Sequence, residues 1–195
     1  AVINRYNDSL DKWERTNGYS IIEKEGVVSI ASYYNTTINI LKRLLQLTHN
    51  TRLERQEENE RFLKNCEINI DDVNKQIALK YLFVNSNVML IYGAAGTGKT
   101  TLIKYISNMF GDARKLYLTK THTALQNVKR HLDNKSVNCD FEIIDSITRS
   151  NSAVTHDIIF VDECSTIDNR TMELLLKKIS NDALIVMSGD VYQIE

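Results

Sequence analysis

From about residue 69 onward, short unbroken apolar runs alternate with stretches in which apolar residues recur every three or four positions. The runs at 88–92, 115–119, 157–161 and 183–188 predict buried strands, and a further short strand is predicted near 141–144. Between them the spacing predicts helices. One runs to about Val84 from Asp71 or Asp72, either of which can cap it. Others run from Lys99 to about Phe110, where Gly111 is a natural stop, from Thr123 to about Leu132, and from Asn169 to about Ile179. Such alternation implies a mostly parallel sheet with helices on both faces, whose ligands gather at the carboxyl ends of the strands.

Residues 1–69 differ in character. Segment 38–64 carries Ile38, Leu41, Leu44, Leu45, Leu47, Leu53 and Phe62, mostly three or four apart with charges between them, and reads as amphipathic helix. Opposite charges three and four apart in 52–61 describe a solvated helix face better than a binding site. Upstream, Trp13, Tyr19, Ile21, Ile22, Val27, Val28, Ile30, Tyr33 and Tyr34 supply anchors for a small helical subdomain, with turns at Gly18 and Gly26. The expected organisation is a helical region over 1–69 and a nucleotide-binding domain over 70–195.

Composition narrows this picture only slightly. At 195 residues the chain is long enough to bury a sizeable core. No apolar stretch approaches the roughly 20 residues that span a bilayer, and no signal-peptide plan is visible, so no membrane partner is expected and a cytoplasmic location is. Cys66, Cys139 and Cys164 lie far apart without metal-ligand spacing, which suits reduced thiols and not a structural zinc. The formal net charge of −1 gives no basic footprint, so any nucleic-acid partner must be argued from local residues.

The chemistry is concentrated behind the predicted strands. Gly93, Ala94, Ala95, Gly96, Thr97, Gly98, Lys99 and Thr100 form a complete phosphate-binding loop directly after the run 88–92. Its glycines let successive N–H groups turn inward toward phosphate oxygens, and a helix follows whose positive end faces the anion. Lys99 can reach the β- and γ-phosphates of a nucleoside triphosphate, and the Thr100 hydroxyl is placed for Mg²⁺. The apolar run ending in Val161 delivers two carboxylates, as an acidic partner to that loop should. Asp162 suits Mg²⁺ through its water shell, and Glu163 suits polarising the attacking water. A third run, 183–187, brings Ser188-Gly189-Asp190-Val191-Tyr192-Gln193 to the same edge. There Gln193 can bond the γ-phosphate or the water and lose that contact when the γ-phosphate leaves. Cys164, beside the acids, reads as a small buried filler.

Together these residues resemble the first RecA-like domain of superfamily 1 helicases, most closely the 1B, RecD-like branch. Asn74 to Leu79 is similar to the family's Q motif, in which the glutamine, here Gln76, contacts adenine. Gly93 to Thr101 matches motif I, 118–124 is similar to motif Ia and Ile144-Asp145-Ser146 resembles motif Ib. Val161 to Asp168 is a close fit to motif II and Gly189 to Gln193 to motif III. The resemblance covers about residues 70–195. It implies ATP hydrolysis with Mg²⁺ and movement along single-stranded DNA, with backbone contacts carried by Thr121 and His122 and, behind them, by Asp145 and Ser146. Two positions depart from the family pattern: Lys120 stands where motif Ia usually has proline, and Ile143 where motif Ib often has threonine.

The family places ATP between two RecA-like domains, and the second supplies the arginine fingers. Residues matching that second domain are not in this sequence, so the resemblance implies a fragment. Without a finger, which contributes a factor of about 10³–10⁵, it should bind nucleotide and hydrolyse it slowly. The alternative reading is a nucleotide-dependent switch or scaffold that controls a protein partner without unwinding, with the N-terminal region as docking surface. A kinase or ring-forming ATPase is disfavoured by the early glutamine and by Asp-Glu-Cys-Ser paired with Gly-Asp-x-x-Gln.

Overall fold

The computed structural model describes residues 2–48, 54–65, 70, 72–94, 96–132 and 138–190. Short helices α1 (Val2–Ser9) and α2 (Lys12–Thr16) precede a hairpin of β1 (Ile21–Lys24) and β2 (Val27–Ile30), then α3 (Ala31–Leu47) and α4 (Glu54–Asn65). Helices and strands alternate from there: α5 (Val73–Lys80), β3 (Val88–Tyr92), α6 (Lys99–Met109), β4 (Lys115–Thr119), α7 (His122–His131) and β5 (Cys139–Ile143). The order closes with α8 (Ile144–Arg149), β6 (Ile158–Val161), a 3₁₀ turn (Cys164–Thr166), α9 (Asn169–Lys178) and β7 (Leu184–Gly189).

Strands β3 to β7 form one sheet in the order β3-β7-β6-β4-β5, with every neighbouring pair parallel. Successive side chains leave a strand on opposite faces, so unbroken apolar runs are needed when both faces are covered. Tyr117, Ile158, Phe160, Leu184 and Val186 point to one layer, where they meet Leu79 of α5, Ile103 and Ile106 of α6 and Val128 of α7. Leu116, Leu118, Ile159, Val161, Ile185 and Met187 point to the other, against Leu47 of α3, Ile144 of α8 and Leu175 and Leu176 of α9. Register pairs Tyr117 with both Phe141 and Phe160, and the three rings stack across the strands at 5.0 and 4.6 Å between centroids. The result is the α/β parallel sheet with helices on both faces that the alternation predicts.

The N-terminal region departs from its expected all-helical character. Ile21-Ile22 and Val27-Val28 are β-branched pairs on either side of Glu25-Gly26. Those two residues take φ of 51° and 79°, the pair of positive values that a two-residue hairpin turn requires. The expected single helix over 38–64 is two: α3 and α4 lie on opposite faces of the sheet, with Leu47 in one core layer and Leu63 against the other. Leu53 lies outside the described residues. Helix α5, capped by the Asp72 carboxylate accepting from the N–H groups of Asn74 (2.8 Å) and Lys75 (3.4 Å), stops at Lys80 and not near Val84. The chain turns there, with Phe83 at φ 54°, and buries Leu82, Phe83 and Val84. Helix α8 was not foreseen, because its six residues are too few to show a helical period.

Candidate functional site

The segment from Gly93 to Thr101 joins β3 to α6. Gly96 and Gly98 adopt φ of 80° and 84°, a left-handed backbone that side chains rarely tolerate, and Gly98 caps α6. The Gly93 N–H donates to the Gly189 carbonyl at 3.3 Å, tying the loop to the tip of β7. The Thr97 hydroxyl donates to the Ala94 carbonyl at 2.9 Å. The Lys99 ammonium donates to the carbonyls of Gly93 and, at 3.0 Å, Ala94, so it already lies over the loop. Thr100 and Thr101 occupy the first turn of α6. Ala95 lies outside the described residues.

Strand β6 ends at Val161, and Asp162 follows with its N–H on the Leu118 carbonyl at 2.9 Å, which holds it to the end of β4. Its carboxylate is oriented by two donors on Oδ1: the Ser188 hydroxyl from β7, and the Glu163 N–H at 3.0 Å. Glu163 itself sits at φ 54°, ψ 38°, and both the N–H and the hydroxyl of Thr166 donate to its carbonyl at 2.9 Å. Cys164 is buried, and burial pushes its thiol pKa up. A Cβ on Gly189 would come within 3.0 Å of its sulfur, so Cys164 packs as a filler against the tip of β7. Downstream, Asp168 caps α9 by accepting from the N–H of Thr171 at 2.9 Å and its hydroxyl at 2.7 Å, which hold the carboxyl below its usual range.

Loop and acids face one cavity of about 410 Å³, whose lining includes Gly96, Gly98, Lys99, Thr100, Thr101, Asp162 and Glu163. The strand order explains the juxtaposition. Strand β7 lies between β3 and β6, so loop and acids emerge two strand spacings apart, about 10 Å, with Gly189 and Asp190 between them. Continuing along the same edge, Thr121 and His122 follow β4, and Asp145 and Ser146 follow β5, whose Ile143 pairs with Thr119. These four are exposed. The Thr121 hydroxyl caps α7 by accepting from the Ala124 N–H at 3.2 Å, and Asp145 pairs with Arg149 at 3.6 Å. Gln76 is exposed on α5, and its side-chain amide donates to the Ile70 carbonyl at 2.6 Å. Gln193 lies outside the described residues.

Three further residues near this site are given their place by the structure. His131, at the end of α7, lines the same cavity, with Nδ1 bonded to the Asn127 carbonyl at 2.7 Å. Lys120 donates its ammonium to the Thr166 carbonyl at 2.5 Å, joining the end of β4 to the turn after the acids. Lys75 reaches from α5 to Gly98. His131 belongs to an ordinary polar run, and although Lys75 and Lys120 fall in the segments similar to motifs Q and Ia, only the tertiary fold shows what they touch.

A parallel sheet carrying a phosphate loop on one strand tip and paired acids on another defines a nucleotide-binding P-loop domain of RecA-like fold. A family model described as an AAA domain (AAA_19) matches residues 75–195, and the chain belongs to that family. Among solved structures, the UvsW helicase from bacteriophage T4 superposes with a TM-score of 0.56 at 10% identity, covering 97% of this chain and 85% of that one. That likeness is one of fold. An arterivirus nonstructural protein 10 (helicase) solved with DNA matches at 15% identity and TM-score 0.42, over 58% of this chain and 33% of its own. The PRRSV nsp10 helicase matches at 16% and 0.36, over 55% and 26%. The chain thus spans about a third and a quarter of those two proteins' lengths. No curated protein matches the chain.

Proposed function

We propose that residues 70–195 form the ATP-binding lobe of an ATP-dependent DNA helicase or translocase of superfamily 1, in the RecD-like 1B branch, with residues 1–69 bracing it. The observation that carries this reading is the single sheet edge on which the loop, the acids and the segments after β4 and β5 follow one another in strand order. In this reading the Lys99 ammonium exchanges the carbonyls of Gly93 and Ala94 for β- and γ-phosphate oxygens. Thr100 and Asp162 are oxygen donors on one cavity, a donor set that suits Mg²⁺. Held by these two residues, such an ion would supply charge neutralisation at the phosphates. Glu163 accepts the proton of the attacking water, and Gln193 senses the γ-phosphate. The adenine end falls to Gln76. Thr121, His122, Asp145 and Ser146 meet the backbone of single-stranded DNA, and a second RecA-like lobe supplies the arginine.

Two measurements test the reading. Calorimetry should show magnesium-dependent uptake of ATP by the 195-residue chain, lost in Lys99→Ala. Hydrolysis by this chain should be slow, and turnover by the two-lobe assembly should rise on adding single-stranded DNA, more at low salt than at high. Uptake of ATP with no stimulation by the strand would replace translocation with the switch reading. No uptake at all would end both.

A further inference from the structure

We propose, on the reading of this cavity as an ATP site, that Lys75 is a second phosphate-binding cation, acting on the α- and β-phosphates while Lys99 serves the γ end. Lys75 is the third residue of α5, and the Asp72 cap fixes where that helix starts. From there its side chain reaches the loop: a Cβ built on Gly98 would lie 2.7 Å from its ammonium and 3.3 Å from its Cε. The φ of 84° is what calls for glycine at Gly98, and the flexible end of the lysine rests in the space beside it.

The side chain is drawn in to 25% exposure, yet its partner is loose, the Asp72 carboxylate at 3.9 Å. An ammonium carries three donors, and among the described residues Lys75 makes no closer contact with an acid. A lysine whose side chain is three-quarters covered and whose ammonium lies beside the loop, where backbone N–H groups cradle the α- and β-phosphates of a nucleotide, is matched by a polyphosphate. The neighbouring Gln76 donates to the Ile70 carbonyl at 2.6 Å, while the Lys75 ammonium lies beside Gly98 of the loop.

The test is calorimetry of the 195-residue chain with Mg-ATP, Mg-ADP and adenosine. Lys75→Met keeps the length of the side chain and removes its charge. It should weaken ATP and ADP alike, by about tenfold, leaving adenosine and the ATP-to-ADP affinity ratio unchanged, while Lys75→Arg retains most of the affinity. Asp72→Asn preserves the helix cap and removes the competing charge, so ADP should bind as tightly as in the parent or more so. Equal ADP affinity in Lys75→Met and parent overturns the proposal, as does a loss confined to ATP or a loss shared by adenosine. Circular dichroism melting of each variant separates a binding defect from unfolding, and if Lys75→Met proves unfolded, weakened ADP binding by Asp72→Asn is the overturning result. Failure of the parent to take up either nucleotide would remove the ATP reading itself.

Discussion

Glu163 is held in left-handed backbone by bonds to its own neighbours. A non-glycine residue at φ 54° costs about 1 kcal/mol or more, and such strain tends to persist where surrounding bonds over-determine it. Here the donors on its carbonyl come from Thr166, and its own N–H is spent on Asp162. Glu163→Gln should bind ATP as the parent does and lose turnover. Glu163→Gly should also lose turnover but gain up to about 1 kcal/mol in urea unfolding; a loss of stability would mean that the carboxylate is held by contacts of its own. Asp168 makes a prediction about pH. Bonds from Thr171, the N–H first, lower its pKa in the fold, so its contribution is present above the unfolded value near 3.9 and fades as pH falls through the lower, folded value. Asp168→Ala should cost about 1 kcal/mol at pH 7 and less at pH 3, read by urea titration at both. The residues of the loop and of the acid pair were legible because their chemistry is local. What Lys75, Lys120 and His131 touch was not, since each reaches the site across a tertiary contact.

Among the elements, α4 carries more than its charge pattern suggested. Its charges do pair, half-buried Arg55 with Glu58 at 3.2 Å and exposed Arg61 with Glu57 at 3.3 Å. Asn59 in the same run is buried, and its amide donates to the carbonyls of Lys80 (3.1 Å) and Leu82 (2.9 Å), which satisfies the chain where α5 ends. Asn59→Ala should leave those carbonyls unpaired and cost about 2–3 kcal/mol, measured by chemical denaturation; a cost below about 0.5 kcal/mol would make α4 a peripheral decoration. Periodicity placed the sheet strands and the helices between them to within a residue or two, except at α5. It failed where a two-residue turn or six residues of helix left no period to count, at the β1–β2 hairpin and at α8. It also failed to separate α3 from α4, since both are amphipathic and only the opposed layers of the core tell them apart.

At the scale of the whole molecule, the sheet is covered on one side by α3 with α8 and α9, and on the other by α4 with α5, α6 and α7. The seam between α3 and α9 is polar at its rim: Asn39 donates to Glu173 at 2.8 Å, Asn169 to Thr37 at 3.0 Å, and the Arg43 guanidinium to the Leu176 carbonyl at 3.1 Å near the end of α9. Leu47, fully buried, closes the apolar part of that seam. Leu47→Ala should cost about 2–5 kcal/mol in a single unfolding transition; a separate early transition for the N-terminal helices would show that they merely lean on the sheet. The pairing of Asn39 with Glu173 spans 134 positions of sequence. During synthesis, therefore, α3 emerges from the ribosome with its greasy stripe uncovered and must wait until α9 has been made before its partner exists, a delay that leaves the nascent polypeptide open to aggregation.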